Sequence, residues 1–147
     1  MIKKLKHSET AIAQEIRSVF QDSYAVEAEL LNAIDFPPLK RPLEAFVDCP
    51  NVFYGFHKDG ELAGVTEIAT EGSATHIQSL VVHPKFFRLG IAGKMLEYVF
   101  NAYHSELFTV ETGADNGPAR KLYEKFGFAI VKEWDTDHGI RKVRFEK

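Results

Sequence analysis

A chain of 147 residues is the size of one ordinary domain, and its 45% apolar and 12% aromatic content supplies a sizeable core. Such a chain can bury about 70% of the surface its unfolded form exposes, which excludes a mainly disordered protein. Eighteen Lys and Arg against 21 Asp and Glu leave a net charge of −3, which argues against a general nucleic-acid or anionic-membrane surface. Cys49 is the only cysteine, so no internal disulfide is available. The basic N-terminus has no apolar stretch behind it, and no run of about 18 apolar residues occurs, so the expectation is a soluble, unprocessed, cytoplasmic protein.

The first element is a short strand from Ile2 to Lys6. A helix follows with Ser8 as N-cap and Ile12, Ile16, Val19 and Phe20 on one face, extending towards Ile34. Asp35-Phe36-Pro37-Pro38 breaks it, and Pro42 opens a second, short helix through Phe46. Three strands come next. Val52, Tyr54 and Phe56 alternate up to the hairpin dipeptide Asp59-Gly60, a second strand runs from Glu61 to about Thr70, and a third ends at Pro84.

After Pro84 the period becomes helical, with Ile91, Met95, Val99 and Ala102 spaced for one buried face. Leu107 to Thr112 reads as a buried strand, Pro118 to Phe126 as a helix with Gly127 as its stop, and Ala129–Trp134 with Ile140–Phe145 as a final hairpin. The order β-α-α-β-β-β-α-β-α-β-β describes a single α/β domain built on a mixed sheet flanked by helices.

Two segments carry chemistry. The stretch Val82-His83-Pro84-Lys85-Phe86-Phe87-Arg88-Leu89-Gly90-Ile91-Ala92-Gly93 places a glycine-containing turn between a strand and a helix, where unpaired backbone N–H groups and the helix dipole attract an anion such as pyrophosphate. Lys85, Arg88 and Lys94 add cations. Gly93-Lys94 is followed by Met95, which rules out a P-loop, and the glycine spacing is not that of a dinucleotide fingerprint. The second segment, Asn116 to Phe128, puts Tyr123 on a helix seven residues beyond Asn116, so an amide and a phenol can face the same side of the fold.

Together these segments resemble the GNAT superfamily of acyl-CoA-dependent N-acetyltransferases. The first resembles its V-x-P-x-x-[RQ]-x-x-G-x-[GA] signature through Val82, Pro84, Gly90 and Ala92; the second resembles N-x-x-A-x-x-[LF]-Y-x-K-x-G-F through Asn116, Ala119, Leu122, Tyr123, Lys125, Gly127 and Phe128. Phe87 departs from the pattern, standing where Arg or Gln is usual, with Arg88 next to it.

The resemblance implies a sheet of about seven strands flanked by about four helices. It also implies a V-shaped cleft between the strand ending at Val82 and the strand ending at Thr112. Backbone groups of Leu80, Val81 and Val82 would pair with a pantetheine arm; Phe87, Arg88, Leu89, Gly90, Ile91, Ala92, Gly93 and Lys94 would hold the pyrophosphate; Asn116 and Ala119 would contact the arm. Tyr123 would protonate the departing thiolate. The cosubstrate would be acetyl-CoA and the acceptor an amine on a small molecule or protein, with no nucleic acid, no membrane and a homodimer left open. A non-catalytic acyl-CoA-binding module is the alternative.

Other residues rank lower. Cys49 precedes a proline with no partner motif, and the six histidines include no H-E-x-x-H, so no zinc framework is predicted. Lys40 and Arg41 read as a solvated loop that could meet an anionic part of the acceptor. For the base, a Glu71-Gly72 hairpin turn sets Glu67 directly opposite His76, a carboxylate-imidazole pair able to relay an amine proton. The position of His76 also resembles that of a strand glutamate used as base in some members of the superfamily.

Overall fold

Glycine-bearing turns set the registers of the first half of the sheet. In the computed structural model, which describes residues 1–147, β1 (Ile2–Lys4) lies beside β2 (Val52–Lys58), and β2 turns into β3 (Glu61–Glu71) through Asp59 and Gly60. Both turn residues have positive φ, 53° and 80°, as the twist of a tight two-residue hairpin requires. The next turn is Gly72-Ser73, because Gly72 (φ 59°) takes the first central position, where a left-handed conformation is needed.

That one-residue displacement corrects the expected pairing. Glu71 pairs with Ala74 and Ala69 with His76, and an irregularity between Glu67 and Ile68 then sets Glu67 opposite Ser79. Glu67 and His76 are therefore not a cross-strand pair.

The remaining elements are α1 (Thr10–Leu30), a 3₁₀ turn (Pro37–Lys40), α2 (Leu43–Val47), β4 (Ala74–Val82), α3 (Ile91–Ala102), β5 (Leu107–Gly113), α4 (Gly117–Lys125), β6 (Ala129–Asp135) and β7 (Arg141–Glu146). Ser8 does not cap α1; Glu9 does, without a side-chain hydrogen bond. The helix stops at Leu30 because Asn32 adopts φ 52°, which lets Ala33 N–H reach Ala28 C=O (2.8 Å) and Asn32 N–H reach Glu29 C=O (3.1 Å). This Schellman closure satisfies carbonyls that a continuing helix would have used. No helix is long and apolar enough to cross a membrane.

The seven strands form one sheet in the order β1-β2-β3-β4-β5-β7-β6, with β4 and β5 the parallel neighbours. One face is covered by α1 and α2, where Phe20, Phe46, Phe53, Val65 and Val81 pack together; the other is covered by α3 and α4, over Ile68, Ile77, Leu96, Val99 and Phe145. The strand pairing that positions the site is short. β4 and β5 are paired from Ala74/Leu107 to Ile77/Val110, and beyond that point their backbones part.

Candidate active site

The parting of β4 and β5 opens a cavity of about 460 Å³ whose walls are α1, the turn after it, the ends of both strands, α4 and the β6–β7 loop. The free edge of β4 can be read from its partner. His83 N–H donates to Ala63 C=O at 2.8 Å, and antiparallel alternation then directs the backbone groups of Val81 and Ser79 towards β3 and those of Leu80 and Val82 towards the cleft. Ser79 C=O is indeed taken on the β3 side, by Thr66 Oγ1 at 2.9 Å. Leu80 and Val82 are thus the residues that offer an unpaired strand edge, while Val81 contributes a buried side chain to the α1 face.

At the mouth, Gly90 adopts φ 76° and a Cβ built on it would meet nothing within 4 Å, so the space in front of α3 is open. The first intrahelical bond of α3 runs from Lys94 N–H to Gly90 C=O at 3.1 Å, leaving the N–H groups of Ile91, Ala92 and Gly93 without intrahelical acceptors. Ile91 itself is 2% exposed and offers only its backbone. Gly93 serves packing as well: a Cβ there would sit 3.1 Å from the Phe126 ring. Of the three cations expected here, Lys85 is paired with Glu61 (2.8 Å) and Lys94 lies 5.8 Å from the Phe56 ring. Arg88 is exposed, forms no ion pair and is held at φ 64°. Phe87 and Leu89 are exposed beside it, and Phe87 lines the cavity.

This arrangement fits a CoA-type ligand: an open strand edge for an amide-bearing arm leads to a row of free backbone donors suited to a pyrophosphate.

Deeper in, Tyr123 is 5% exposed, lines the cavity, and packs against Phe128 and Phe145 at 5.7 and 5.5 Å between ring centroids. Burial, then the nearby Tyr24 and Glu27, push its phenol well above the usual tyrosine range, so it stays protonated. Asn116 caps α4, accepting from Ala119 N–H at 3.2 Å, and its Nδ2 donates to Glu27 Oε1 at 2.9 Å. Its side chain is therefore occupied by α4 and α1. Ala119 lines the cavity beside it.

Neither Glu67 nor His76 reaches the cavity wall. His76 Nδ1 meets Thr109 Oγ1 at 2.6 Å, and burial holds its imidazole below the ordinary value, hence neutral. Glu67 is 1% exposed, behind Ser79. It accepts from Arg41 (2.7 and 3.3 Å), Asn51 (2.8 Å), Cys49 Sγ (3.3 Å) and Ser79 (3.3 Å). Burial alone would raise its pKa, but the hydrogen bonds from Arg41 and Asn51 outweigh it and hold the carboxyl below the usual range.

Arg41 is thus not a solvated loop cation. Its side chain is only 22% exposed, and its guanidinium lies 4.1 Å from the centroid of the Phe46 ring, stacked within the domain. Burial raises the pKa of the Cys49 thiol, as suits an unreactive sulfur.

Sequence reasoning missed the groups that α1 contributes. Tyr24 donates to Ser79 Oγ at 3.4 Å, and Glu27 accepts from Asn116 and from Thr112 Oγ1 (3.3 Å). A signal was present: the buried stripe Ile16, Phe20 continues at helical spacing through Tyr24, Glu27 and Leu31.

Residues 13–128 match the model of the Acetyltransferase (GNAT) family, and the chain belongs to that family. Over 141 residues, 95% of its length, it is 34% identical to the UPF0157 protein YqkA of Bacillus subtilis, and it spans 41% of the length of that relative. Its fold is shared with the ribosomal-protein-S18-alanine N-acetyltransferase from Escherichia coli, at a TM-score of 0.78, 18% identity, and 99% and 91% of the two chains. A similar match is the PaiA N-acetyltransferase from Thermoplasma acidophilum in complex with coenzyme A, at a TM-score of 0.75, 15% identity, and 98% of each chain.

Proposed function

We propose that the protein is an acetyl-CoA-dependent N-acetyltransferase acting on an amine. The observation that carries this reading is the free edge of β4 at Leu80 and Val82, running between the donors in front of α3 and the buried phenol of Tyr123. The solved structure with coenzyme A and the shared family support the choice of cosubstrate. Acetyl-CoA, when bound, supplies a thioester whose carbonyl an amine can attack.

The chain's own residues do the rest. Leu80 and Val82 hold the arm as an added strand, and Ile91, Ala92 and Gly93 hold the pyrophosphate through their N–H groups. Tyr123, kept protonated by its surroundings, donates its proton to the sulfur as it leaves, so the thiol and not the thiolate departs. Glu67 and Arg41 anchor the turn after α1 to β3 and so hold the wall of the cleft.

Calorimetric titration with CoA, followed by thiol release from acetyl-CoA across a panel of amines, tests the reading. Micromolar binding together with amine-dependent thiol release is the expected result. Binding without release for any amine would make the protein a CoA-binding module, and no binding would remove the assignment.

A further inference from the structure

Of the charged side chains that line the cleft, Glu27 is the one that makes no ion pair. Arg41 is neutralised by Glu67; Glu111 is neutralised by Arg144 (3.0 Å) and Lys142 (3.7 Å). Glu27 is different. Its hydrogen bonds come from Asn116 and Thr112, both neutral, and it forms no ion pair. Those two donors hold the carboxylate against the cavity, beside the phenols of Tyr24 and Tyr123.

A carboxylate taken partly out of water without a cation in direct contact is costly, and a cation bound against it removes that cost. Burial accordingly raises the pKa of Glu27, against the pull of the hydrogen bonds from Asn116 and Thr112 and of the Lys142 charge nearby. The wall next to it is apolar. Ala28, Leu31, Phe36 and Ile140 form one cluster that joins α1 to the turn after it and to the β6–β7 loop, and the Tyr24 ring meets Phe36 at 5.9 Å.

We propose that Glu27 is the group that receives the acceptor and takes its proton, and that the acceptor is a small ammonium ion carried on an apolar or aromatic body. The ammonium pairs with Glu27, and the body lies on Leu31, Phe36 and Ile140. The proton passes from the ammonium nitrogen to the Glu27 carboxylate, leaving a neutral amine. The nitrogen lone pair forms the bond to the thioester carbonyl carbon as the carbon–sulfur bond breaks. Sulfur takes a proton from Tyr123, which recovers one from the new amide nitrogen, and Glu27 returns its proton to water. Asn116 is a positioning residue here, orienting the Glu27 carboxylate. Recognition of the ammonium stands on its own, whereas the proton transfer rests on the acetyltransferase reading.

The test uses the full chain with 2-phenylethylamine as probe and 2-phenylethanol as its uncharged counterpart, titrated calorimetrically beside CoA. We expect the amine to bind at least tenfold more tightly than the alcohol, Glu27→Gln to abolish that preference, and Glu27→Asp to restore part of it. Wild-type affinity for the amine should weaken as pH falls through the raised Glu27 pKa, with a flat profile in Glu27→Gln. Of the other titratable groups facing the site, Tyr24 and Tyr123 stay protonated and Glu111 is paired with Arg144; Lys142, whose charge also acts on Glu27, and His138 are therefore each replaced by Gln in parallel titrations. With thiol release as readout, Glu27→Gln should lower kcat/KM at least 30-fold and remove its acidic limb.

Equal binding of amine and alcohol by wild type, or equal amine binding by wild type and Glu27→Gln with CoA binding intact, would overturn the proposal while leaving the acetyltransferase reading in place. Loss of CoA binding in the wild type would instead overturn that reading, and the amine-against-alcohol preference would still decide the role of Glu27. Melting curves of both variants confirm folding, and agreement of Glu27→Asp with Glu27→Gln in amine affinity would also count against the assignment.

Discussion

Replacing Glu67 by Gln keeps its volume and removes its charge at a site where five donor contacts converge. The amide nitrogen of Gln would face donors of Arg41, Asn51 and Cys49 with nothing to accept, and the guanidinium would lose its counter-charge. Breaking a fully buried pair by removing one partner costs about 3–5 kcal/mol. Glu67 is 2% exposed along its side chain but Arg41 is 22% exposed, so part of the Arg41 charge can be recovered by water and the lower end, about 3 kcal/mol, applies. At roughly 3 °C per kcal/mol for a chain of this size, the melting temperature should fall by about 9 °C at pH 7.

The pH dependence has a definite sign. The folded pKa of Glu67 lies below its ordinary value of 4.5, so its stabilisation is fully present above that value and is lost as pH falls through the folded pKa. The difference between wild type and Glu67→Gln should therefore be large at pH 7 and shrink below about pH 4. Chemical denaturation at pH 7 and at successive steps below pH 4 measures it, and the double variant with Arg41→Met should be less destabilised than the two single variants added together. A difference below about 0.5 kcal/mol at pH 7, or one that does not shrink as pH is lowered further below 4, would refute the reasoning.

Tyr123→Phe removes the hydroxyl proposed as the proton donor with little change in volume, so kcat should fall by about 10²-fold while CoA affinity, by calorimetry, stays near wild type. Gly90→Val sets a β-branched residue at φ 76° in front of the donors of α3. CoA affinity should drop by at least tenfold in the folded variant, read by the same titration. Arg88→Gly relieves a left-handed conformation at φ 64° while removing the unpaired cation at the mouth. Stability should change by less than about 1 kcal/mol, because the flexible unfolded glycine offsets the relieved strain. CoA affinity should fall about three- to tenfold, with a weaker dependence on salt in parallel titrations.

Much of this protein is legible along the chain because the signals are local. Asp59-Gly60 demands a tight turn whatever surrounds it, Ile91, Met95 and Val99 repeat at helical spacing, and Asn116 with Pro118 marks a helix start; each becomes the expected element within two residues. The order of elements and the two motif segments follow from the same kind of signal, and the parting of β4 and β5 was implied by the resemblance those segments carry. Tertiary structure decided what depends on distant neighbours. Whether Gly72 is the first or second residue of its turn hinges on one φ angle and moves the β4 residues next to the turn by two places along β3, which separated Glu67 from His76. Arg41 read as a surface cation because nothing near it in sequence is acidic and buried; Glu67, 26 residues away, gives it a partner only when β3 packs under the turn after α1. Glu27 looked like one more polar residue on a long helix, and its environment is set by Asn116, 89 residues further on. Charge, burial and hydrogen-bond partners belong to the packed chain, so the chemistry of these carboxylates was decided only by the fold.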